Sequence, residues 1–483
     1  MNRVLLFSMM FFVFYACTPR VQTAPGTTAP VKEKSSRQVP GITIDSVAYL
    51  VDTLQYFPAG PGSWFAEYAI RDNNLPLHVF VVKTNVQHPY VSLDLVMSHD
   101  SIAGLETTSS MARRKSEPGL NYFAGVNGDF YNTRGVVGHP VHGTASNGQL
   151  ITRPNQAYHL VFNKNDRMAV DHLGWEAELR YKGSQVSFNS INDTLSKNQP
   201  RLLNAYWSKE FHNKAGELVW TLVPDIKGRY RIGIVDNKKR ALTIPEAGYV
   251  VDFAGTAPAN WRNARPGDAV TLNQKIRLKS KPAFNAQIVT GARNYILKDG
   301  KIFDKDWAER HPRTSWGTTR NGDTMIMAVV DGRSKSSVGV TTWQLAQIMK
   351  WLGATEAVNL DGGGSSTMYV LPKGVMNHPS DGRERAVANA LFAVSSAPEN
   401  NNVASIAANH FQVPVSKGDV VDIEVMGFNR YGNLAALDPA KIKLSAADDL
   451  GRFSGKTTFV ASGKPGTIEI VYDNKLRTKI FLK

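Results

Sequence analysis

The segments TMIMAVV (324–330), TTWQLAQIMKWLG (341–353) and AVNLDGGGSS (357–366) decide the predicted fold. The first and third are apolar runs that end at an aspartate or an aspartate-glycine turn, as buried strands do. The middle segment carries apolar residues at helical spacing. Strand, helix and strand in this order are typical of a βαβ unit with parallel strands. We therefore predict a mixed, strand-rich α+β domain with a late βαβ unit.

The helix of that unit has recognisable ends. Thr341 and Gln344 have the spacing of a capping box, in which each side chain satisfies a free backbone donor. Gly353 is well placed to end the helix, because glycine tolerates the left-handed conformation that follows a last turn. One apolar face runs along it, formed by Leu345, Ile348, Met349 and Leu352.

Two aspartates follow the two strands of the unit. Asp331 and Asp361 each end an apolar run. Because parallel strands share one carboxyl edge, where clefts form in α/β sheets, both side chains are predicted at the same edge.

The chain of 483 residues is long enough for two or three domains. We predict a catalytic domain over residues 41–397 and a separate C-terminal domain over 400–483, where helical periodicity disappears. The tail resembles a bacterial immunoglobulin-like domain, that is, a small all-β sandwich. Short strand-like runs between Gly- and Asn-rich turns carry this resemblance: 420–425, 431–433 and 466–470.

The N-terminus is typical of an export signal. Arg3 precedes an apolar run over 4–16, which is too short to span a bilayer. The one cysteine, Cys17, ends the run, and its context resembles a bacterial lipobox. We predict a lipoprotein signal peptide over 1–17, lipidation of Cys17 and a flexible linker over 18–40. The expected location is the bacterial cell envelope, at the periplasmic or outer-membrane face. An ordinary signal peptide is the alternative.

The net charge of +15 comes from dispersed Lys and Arg residues. A basic, solvated surface explains it most simply, and attraction to an anionic, phosphate-bearing substrate is the alternative. No basic helix or zinc module indicates nucleic acid, so we expect no nucleic-acid partner.

The strongest chemical signal is the stretch from Asn359 to Ser366. Three consecutive glycines, Gly362, Gly363 and Gly364, are costly in backbone entropy and occur where a chain turns sharply or a ligand approaches closely. Their amides, with Ser365, could form an anion-binding concavity beside the Asp361 carboxylate. A tight turn capped by an aspartate is the structural alternative.

Three further clusters carry polar side chains. In His311–Ser315, a rigid proline precedes Arg313 and Thr314, and a guanidinium suits phosphate oxygens. The stretch with Asn127 and Asp129 supplies an amide and another carboxylate. Its histidines, His139 and His142, could bind a metal, although a loop wall is the simpler interpretation.

The fourth cluster spans residues 377–385 and follows the glycine turn. Glu384 and Arg385 lie in it and could form the rim of a cleft or a solvated surface. No Gly-x-Ser-x-Gly elbow and no phosphate-binding loop of the NTPase type occur.

Together these clusters resemble the phosphodiester glycosidase family, whose namesake removes N-acetylglucosamine from mannose-6-phosphate on lysosomal enzymes. The resemblance covers most of residues 45–397. Its matching elements in chain order are 127–131, Gly138 with Pro140, 291–300, 312–314, 331–333, 359–366 and 384–385.

The resemblance implies a hydrolase that separates the anomeric carbon of a sugar from a phosphodiester. Asp361 would act as base or nucleophile, with Glu384 or Asp129 as the second carboxylate. Arg313, the glycine amides and Ser365 would hold the phosphate. The remaining substrate-binding predictions are Asn127, Thr314, Asn359 and Arg385.

Two rival functions stay open at this point. One is a non-catalytic lipoprotein that binds phosphorylated or acidic glycans, and the other is a glycosidase acting on non-phosphorylated cell-surface polysaccharide. The expected partners are a carbohydrate phosphodiester or another anionic glycan, and the membrane through the lipid. The motifs require no cofactor, and a structural Ca²⁺ stays an open alternative.

Overall fold

The computed structural model describes residues 39–193, 199–225, 229–303, 307–371 and 373–483. These residues form forty strands and two α-helices, α1 (Thr108–Lys115) and α2 (Thr342–Trp351). The predicted signal peptide and Cys17 lie outside the described residues, as does nearly all of the predicted linker. Within the described part of the chain, no helix is long and apolar enough to cross a bilayer.

The strands fall into three consecutive groups along the chain. The first group is β1 (Val39–Ile44), β2 (Val47–Gly60), β3 (Ser63–Ile70), β4 (Leu77–Asn85), β5 (Val91–Met97), β6 (Glu106–Thr107), β7 (Asn121–Asn127), β8 (Thr144–Ser146) and β9 (Gln149–Thr152). The second is β10 (Tyr158–Asn163), β11 (Met168–Tyr181), β12 (Ser184–Phe188), β13 (Ser190–Ile191), β14 (Arg201–Leu203), β15 (Glu210–His212), β16 (Val219–Pro224), β17 (Tyr230–Asp236), β18 (Ala241–Thr243), β19 (Tyr249–Asp252), β20 (Ala269–Leu278), β21 (Ala286–Ala292), β22 (Asn294–Lys298) and β23 (Lys301–Ile302). The third is β24 (Arg313–Thr318), β25 (Thr324–Val330), β26 (Glu356–Asn359), β27 (Met368–Val370), β28 (Gly374–Val375), β29 (Ala386–Val387), β30 (Asn389–Ser395), β31 (Ser405–Ala408), β32 (Gln412–Val413), β33 (Lys417–Asp422), β34 (Val425–Phe428), β35 (Leu434–Ala435), β36 (Ile442–Ser445), β37 (Gly451–Phe453), β38 (Thr458–Ser462), β39 (Gly466–Tyr472) and β40 (Leu476–Leu482).

The main sheet has nine strands in the order β1-β2-β3-β4-β25-β24-β26-β22-β23. A five-stranded sheet, β28-β27-β7-β30-β5, faces it across the largest apolar core. Burial on both faces explains why the sequence of strand β25 is continuously apolar. Met325, Met327 and Val329 point into that core, whereas the alternate residues lie in a second core under α2. A strand covered on both faces shows no alternation of polar and apolar residues.

The predicted α+β class with a βαβ unit is wrong. Strands β25 and β26 do not pair with each other, because β24 lies between them and runs antiparallel to both. The described residues are about half strand and under a tenth helix. Helix α2 therefore covers the outer face of an antiparallel sheet and links no pair of adjacent parallel strands.

The local signals of α2 were read correctly. Thr341 is its N-cap, and the capping box with Gln344 is formed in both directions. The backbone turns left-handed at Gly353, with φ +97°. Both strand ends that carry aspartates also lie at one edge of the sheet, since Arg313 pairs with Val330 and Ser315 with Asn359.

A twelve-stranded sheet occupies the middle of the chain, in the order β13-β14-β19-β16-β17-β20-β11-β10-β21-β8-β9 with β12 beside β11. It has its own core, in which the rings of Trp220 and Trp261 stack with centroids 5.1 Å apart. Strand β21 joins this sheet to the candidate site described below, because it carries Gly291.

The C-terminal residues form three small sheets around a further apolar core. This core is held against the main sheet, since Phe411 N donates to Leu54 O at 2.7 Å and Thr53 N donates to Gln412 Oε1 at 3.1 Å. The immunoglobulin-like identity of this region stays a prediction.

Candidate active site

Asn127, at the end of β7, ties together the segments that the sequence singled out. Its Oδ1 accepts from Thr314 Oγ1 at 2.7 Å and from Thr367 N at 3.1 Å. Its Nδ2 donates to Asp361 O at 2.7 Å. Asn127 and Thr314 are both fully buried. The structure thus brings these two predicted residues to Asp361, where they hold three chain segments in place.

Asp361 lies in a buried turn directly after β26, and its side chain is 8% exposed. Its backbone N–H donates to Gly128 O at 3.0 Å, and the N–H of Gly362 donates to its Oδ1 at 2.9 Å. Burial raises the pKa of Asp361 to about 7, and the charge of Asp129 adds to that rise. Hydrogen bonds from Ser365 and Gly362 and the charge of Arg385 lower it only in part. Asp361 is therefore poised to exchange a proton near neutral pH.

The three glycines form a turn that is closely packed by neighbouring side chains. A Cβ at position 364 would lie 2.0 Å from Arg385 Nη2 and 2.4 Å from the Asp381 carboxylate. Gly363 has φ +63°, a conformation that favours glycine. Two of the amides predicted to bind an anion already have protein partners, because Gly362 N donates to Asp361 and Gly363 N to Pro312 O.

Asp129 forms a tight pair with His142. The backbone N–H of His142 donates to Asp129 Oδ2 at 3.0 Å, and its ring Nδ1 lies 2.6 Å from Oδ1. Asn389 Oδ1 accepts from Asp129 N at 2.9 Å. The pair packs against Gly291. Any larger residue at this position would place its Cβ 2.3 Å from Asp129 Oδ1. Asp129 is 1% exposed, so these donors are what make its charge tolerable inside the protein.

The second predicted histidine of this loop is placed elsewhere. His139 Nδ1 lies against Pro140 O at 2.8 Å, whereas the His142 ring is engaged with Asp129. Among the described ranges, no group of three or more His, Cys, Asp or Glu side chains could hold a metal ion. His159 supports the loop that carries His139 and His142, because its Nε2 accepts from Gly143 N at 3.1 Å. Burial lowers the pKa of His159 to about 3.

Arg313 is buried at the start of β24, with 2% exposure. Its Nε donates to Val340 O at 3.0 Å, its Nη2 donates to Glu309 O at 2.9 Å, and its guanidinium lies 4.7 Å from the Trp307 ring centre. Burial lowers its pKa to about 10, so it stays charged at neutral pH. Part of the predicted phosphate clamp is therefore already committed to backbone carbonyls.

A second arginine, absent from the sequence predictions as a site residue, shares this ring. Arg293 is exposed and lies over Trp307 at 5.2 Å and over Phe130 at 5.6 Å. Arginine stacked on aromatic rings keeps its donors free in a fixed plane. The signal that could have found it is its position, two residues after Gly291 in a stretch already noted for its resemblance.

The remaining predicted residues separate into two groups. Arg385 lies beside the turn, bonded to Asp381 at 2.7 Å and to Ser365 Oγ at 3.4 Å. Glu384 points to the start of α1 instead, where both of its oxygens accept from Ser109, at 2.8 Å from N and 2.5 Å from Oγ. The negative charge that raises the pKa of Asp361 is that of Asp129, whereas the charge of Arg385 lowers it.

Two further polar residues serve the framework. Asn359 is 1% exposed, and its Nδ2 lies 3.5 Å from Asn294 Oδ1. Asp331, at the same sheet edge as Asp361, accepts from Asn377 Nδ2 at 3.0 Å and from His378 N at 3.0 Å. The ring Nδ1 of His378 also lies 3.0 Å from Asp331 Oδ2, and this side-chain hydrogen bond raises the pKa of His378. Asp331 therefore holds the loop after the glycine turn.

Part of this site lies in a stretch of the chain that matches a family model. Residues 226–394, about a third of the chain, match the family model of the phosphodiester glycosidases. The match includes Arg293, Arg313, Asp361 and Glu384, whereas Asn127 and Asp129 precede it. An uncharacterized SPbeta prophage-derived protein of Bacillus subtilis is 38% identical over 116 residues, which cover 22% of this chain and 18% of that protein.

Solved structures give a fold likeness. A hypothetical protein from Synechocystis has a TM-score of 0.52 and 19% identity over 69% of this chain and 62% of its own. The catalytic domain of zebrafish N-acetylglucosamine-1-phosphodiester alpha-N-acetylglucosaminidase, auto-inhibited by its pro-peptide, has a TM-score of 0.38 and 14% identity over 72% of this chain and 88% of its own. The chain thus spans less than two thirds of the length of the prophage and Synechocystis relatives, and the latter shows a shared fold alone.

Proposed function

We propose that this chain is a hydrolase that cleaves the glycosidic bond between the anomeric carbon of a sugar and a phosphodiester, releasing free sugar and a phosphomonoester. The family match over residues 226–394 supports the reaction class. The pair of carboxylates Asp129 and Asp361 carries the proposal within this chain. Burial raises the pKa of Asp361 to about 7, and the charge of Asp129 adds to that rise, so this carboxylate is tuned for proton transfer.

Asp361 is the base in this proposal. It is buried, its pKa is raised to about 7, and its ionised form is therefore a stronger proton acceptor than an ordinary carboxylate. It removes a proton from the attacking water, whose oxygen bonds to the anomeric carbon. The bond from that carbon to the phosphate oxygen breaks, and the electron pair leaves with the phosphomonoester.

Asp129 stabilises the positive charge that develops on the sugar. The backbone N–H of His142 donates to one of its oxygens at 3.0 Å, the ring Nδ1 lies 2.6 Å from the other, and burial keeps water from weakening the field of the carboxylate. It does not need to donate a proton, because a phosphomonoester is a stable anion and leaves without strong acid help.

The phosphate is held by the two arginines that stack on Trp307. Arg313 supplies a fixed positive charge, and Arg293, being exposed, supplies free donors for the phosphate oxygens. Arg385 lies beside the glycine turn and compensates the charge of Asp381. Glu384 is assigned no chemical step here, because Ser109 occupies both of its oxygens.

The test is hydrolysis of a small panel of sugar-1-phosphodiesters, with products resolved by mass spectrometry and phosphorus NMR. Wild type should release free sugar and phosphomonoester, and Asp361→Asn should not. The matched control is Asp166→Asn, since burial raises the pKa of Asp166 to about 6 in a hairpin turn away from this site. The control variant should keep full activity.

Other outcomes of the same panel select the rival functions. Turnover of matched glycosides that lack phosphorus, at an equal rate, would favour a glycosidase of non-phosphorylated polysaccharide. Binding of the phosphodiesters without any product, in the wild type, would favour a binding lipoprotein.

Export and lipid anchoring form a separate part of the proposal, supported by the sequence of residues 1–17. Expression of the full chain in a bacterium with a labelled fatty acid should give a labelled membrane protein. Cys17→Ser should remove the label, and persistence of the label in this variant would contradict lipidation at Cys17.

A further inference from the structure

A furrow crosses the twelve-stranded sheet outside the candidate active site. It consists of three adjoining recesses of about 930, 340 and 430 Å³. The first two share Trp175, and the second and third share the segment from Pro282 to Asn285. We call these three recesses, lined by residues of β11, β20 and the loop after β20, the cationic furrow.

The lining of the furrow carries positive charge only. Its five cations are Arg153, Lys164, Lys275, Lys279 and Lys281, and no Asp or Glu lines any of the three recesses. All five are exposed, and none forms an ion pair with any residue that the structure describes. Cations that line a concave surface without counter-charges focus a positive potential there and attract polyanions.

The neighbouring acids are directed elsewhere. Asp171 accepts from Ser280 N at 2.6 Å and from Ser280 Oγ at 2.7 Å, so it braces the loop after β20. Glu176 pairs with Arg277 at 3.0 Å. Neither carboxylate lines any of the three recesses, and both already have protein partners, although Glu176 lies opposite Lys275 in the β11–β20 ladder.

Uncharged groups between the cations suit sugar rings. Trp175 and Phe284, both half-buried, offer apolar ring surface at the junctions of the recesses. Gln274, Asn285 and Gln287 line the middle recess and offer amide donors and acceptors for hydroxyl groups. Single-stranded nucleic acid would call for successive exposed aromatic faces at the spacing of bases. The rings that line the furrow, including His172 and Tyr249, are half-buried or buried and lie among many amides.

The furrow ends at the candidate active site. Asn155, which lines the first recess, donates from Nδ2 to Val141 O at 3.2 Å. Val141 precedes His142, which holds Asp129. A Cβ at Gly143 would lie 2.6 Å from Pro154 Cα, so the two loops are in direct backbone contact.

We propose that the cationic furrow is a second binding site, for an extended anionic polysaccharide, that holds the polymer beside the candidate active site. The charge and the amide-lined shape carry this inference, and it does not depend on hydrolysis of the polymer. Phosphate groups and carboxylate groups on a glycan share the chemistry that the furrow recognises.

The test uses the full chain carrying Asp361→Asn, so that a bound polymer is not cut, and measures retardation in gels containing a polymer. The probes are a phosphomannan, polygalacturonate, uncharged dextran and a thymidine oligonucleotide. The furrow variant is Arg153→Gln with Lys275→Gln and Lys279→Gln. The matched control is Lys239→Gln with Lys456→Gln and Lys475→Gln, three exposed lysines outside the furrow.

The expected result is binding of phosphomannan, polygalacturonate or both, weakened by about tenfold in the furrow variant and by no more than about twofold in the control. Which of the two polymers binds identifies the anionic group. Trp175→Ala should weaken the same binding, since stacking is lost.

Equal losses in the furrow and control variants would overturn the proposal, because net charge alone would then explain binding. Equal retardation by dextran, or tighter binding of the oligonucleotide, would overturn it as well. The wild type could fail to hydrolyse any sugar-1-phosphodiester while the polymer still binds in the furrow. That result would count against the proposed reaction and would support the furrow as a separate binding site.

Discussion

The candidate active site and the cationic furrow handle charge in opposite ways. Asp129 and Asp361 are buried, and each acts on the proton affinity or position of its neighbours. Arg153 and Lys279 in the furrow are exposed and have no counter-charge among the described residues. Burial makes a charge reactive because water no longer screens it, whereas exposure makes a charge attractive at a distance. Substitutions at the site should therefore alter the rate of the reaction, and substitutions in the furrow should alter the binding of a polymer.

The largest expected effect comes from the second carboxylate. Asp129→Asn should lower kcat by about 10³-fold, because the ionised side chain that stabilises the sugar cation is lost. The double variant with Asp361→Asn should lose little more than either single variant, since groups that act as a unit are not additive. Steady-state kinetics on a sugar-1-phosphodiester would measure both. Fully additive losses would show that the two residues act independently.

The next effect tests the close contact between β21 and the carboxylate pair. Gly291→Ala adds a methyl group whose carbon would lie 2.3 Å from Asp129 Oδ1. We expect a loss of about 1–3 kcal/mol in the free energy of unfolding, as for other overpacked interiors. We also expect a fall in kcat that exceeds any change in KM. The control is Gly174→Ala, because a Cβ there would meet nothing within 4 Å. Unchanged kinetics in Gly291→Ala would place Asp129 outside the chemistry.

A third, smaller effect concerns the framework. Asn127→Ala leaves the Thr314 hydroxyl and the Thr367 N–H without their buried acceptor. Denaturant unfolding should show a loss of about 2 kcal/mol, the usual cost of stranded buried donors. Asn155→Ala, which removes an exposed side chain, is the control and should change stability by less than about 0.5 kcal/mol. Equal stability of the two variants would contradict the role given to Asn127.

The smallest effect separates the furrow from the site. The furrow variant should raise KM for a polymeric substrate by about tenfold while kcat is unchanged. On a small sugar-1-phosphodiester both constants should match the wild type. A fall in kcat on the small substrate would mean that the furrow is part of the reacting site, and the contrast between the two regions would fail.

The sequence predicted local features well and pairings badly. Helix α2 was predicted correctly because its capping box and apolar face involve residues within one or two turns of each other. The predicted βαβ unit was wrong because no residue in or near β25 and β26 indicates that β24 lies between them. Strand order depends on contacts between distant parts of the chain, and the hydrophobic periodicity of one segment contains no information about those contacts.

The same division holds in the candidate site. The family resemblance singled out Asn127, Thr314 and Asp361, and the structure joins them by hydrogen bonds. Arg293 was missed because its importance depends on stacking with Trp307, a residue distant from it in the sequence. The pairing of Glu384 with Ser109 was equally invisible, since the two are 275 residues apart.

The pH dependence of kcat/KM for a sugar-1-phosphodiester tests whether Asp361 acts as the base. Asp361 must be ionised to accept a proton, and burial raises its pKa to about 7. We therefore expect kcat/KM to fall as the pH drops through about 7 and to reach a plateau above that pH. Asp361→Asn should be slower by about 10³-fold over the whole range and should not show this fall with pH. A flat profile between about pH 5 and about pH 9, or turnover by Asp361→Asn at the wild-type rate, would contradict the role of Asp361 as the base.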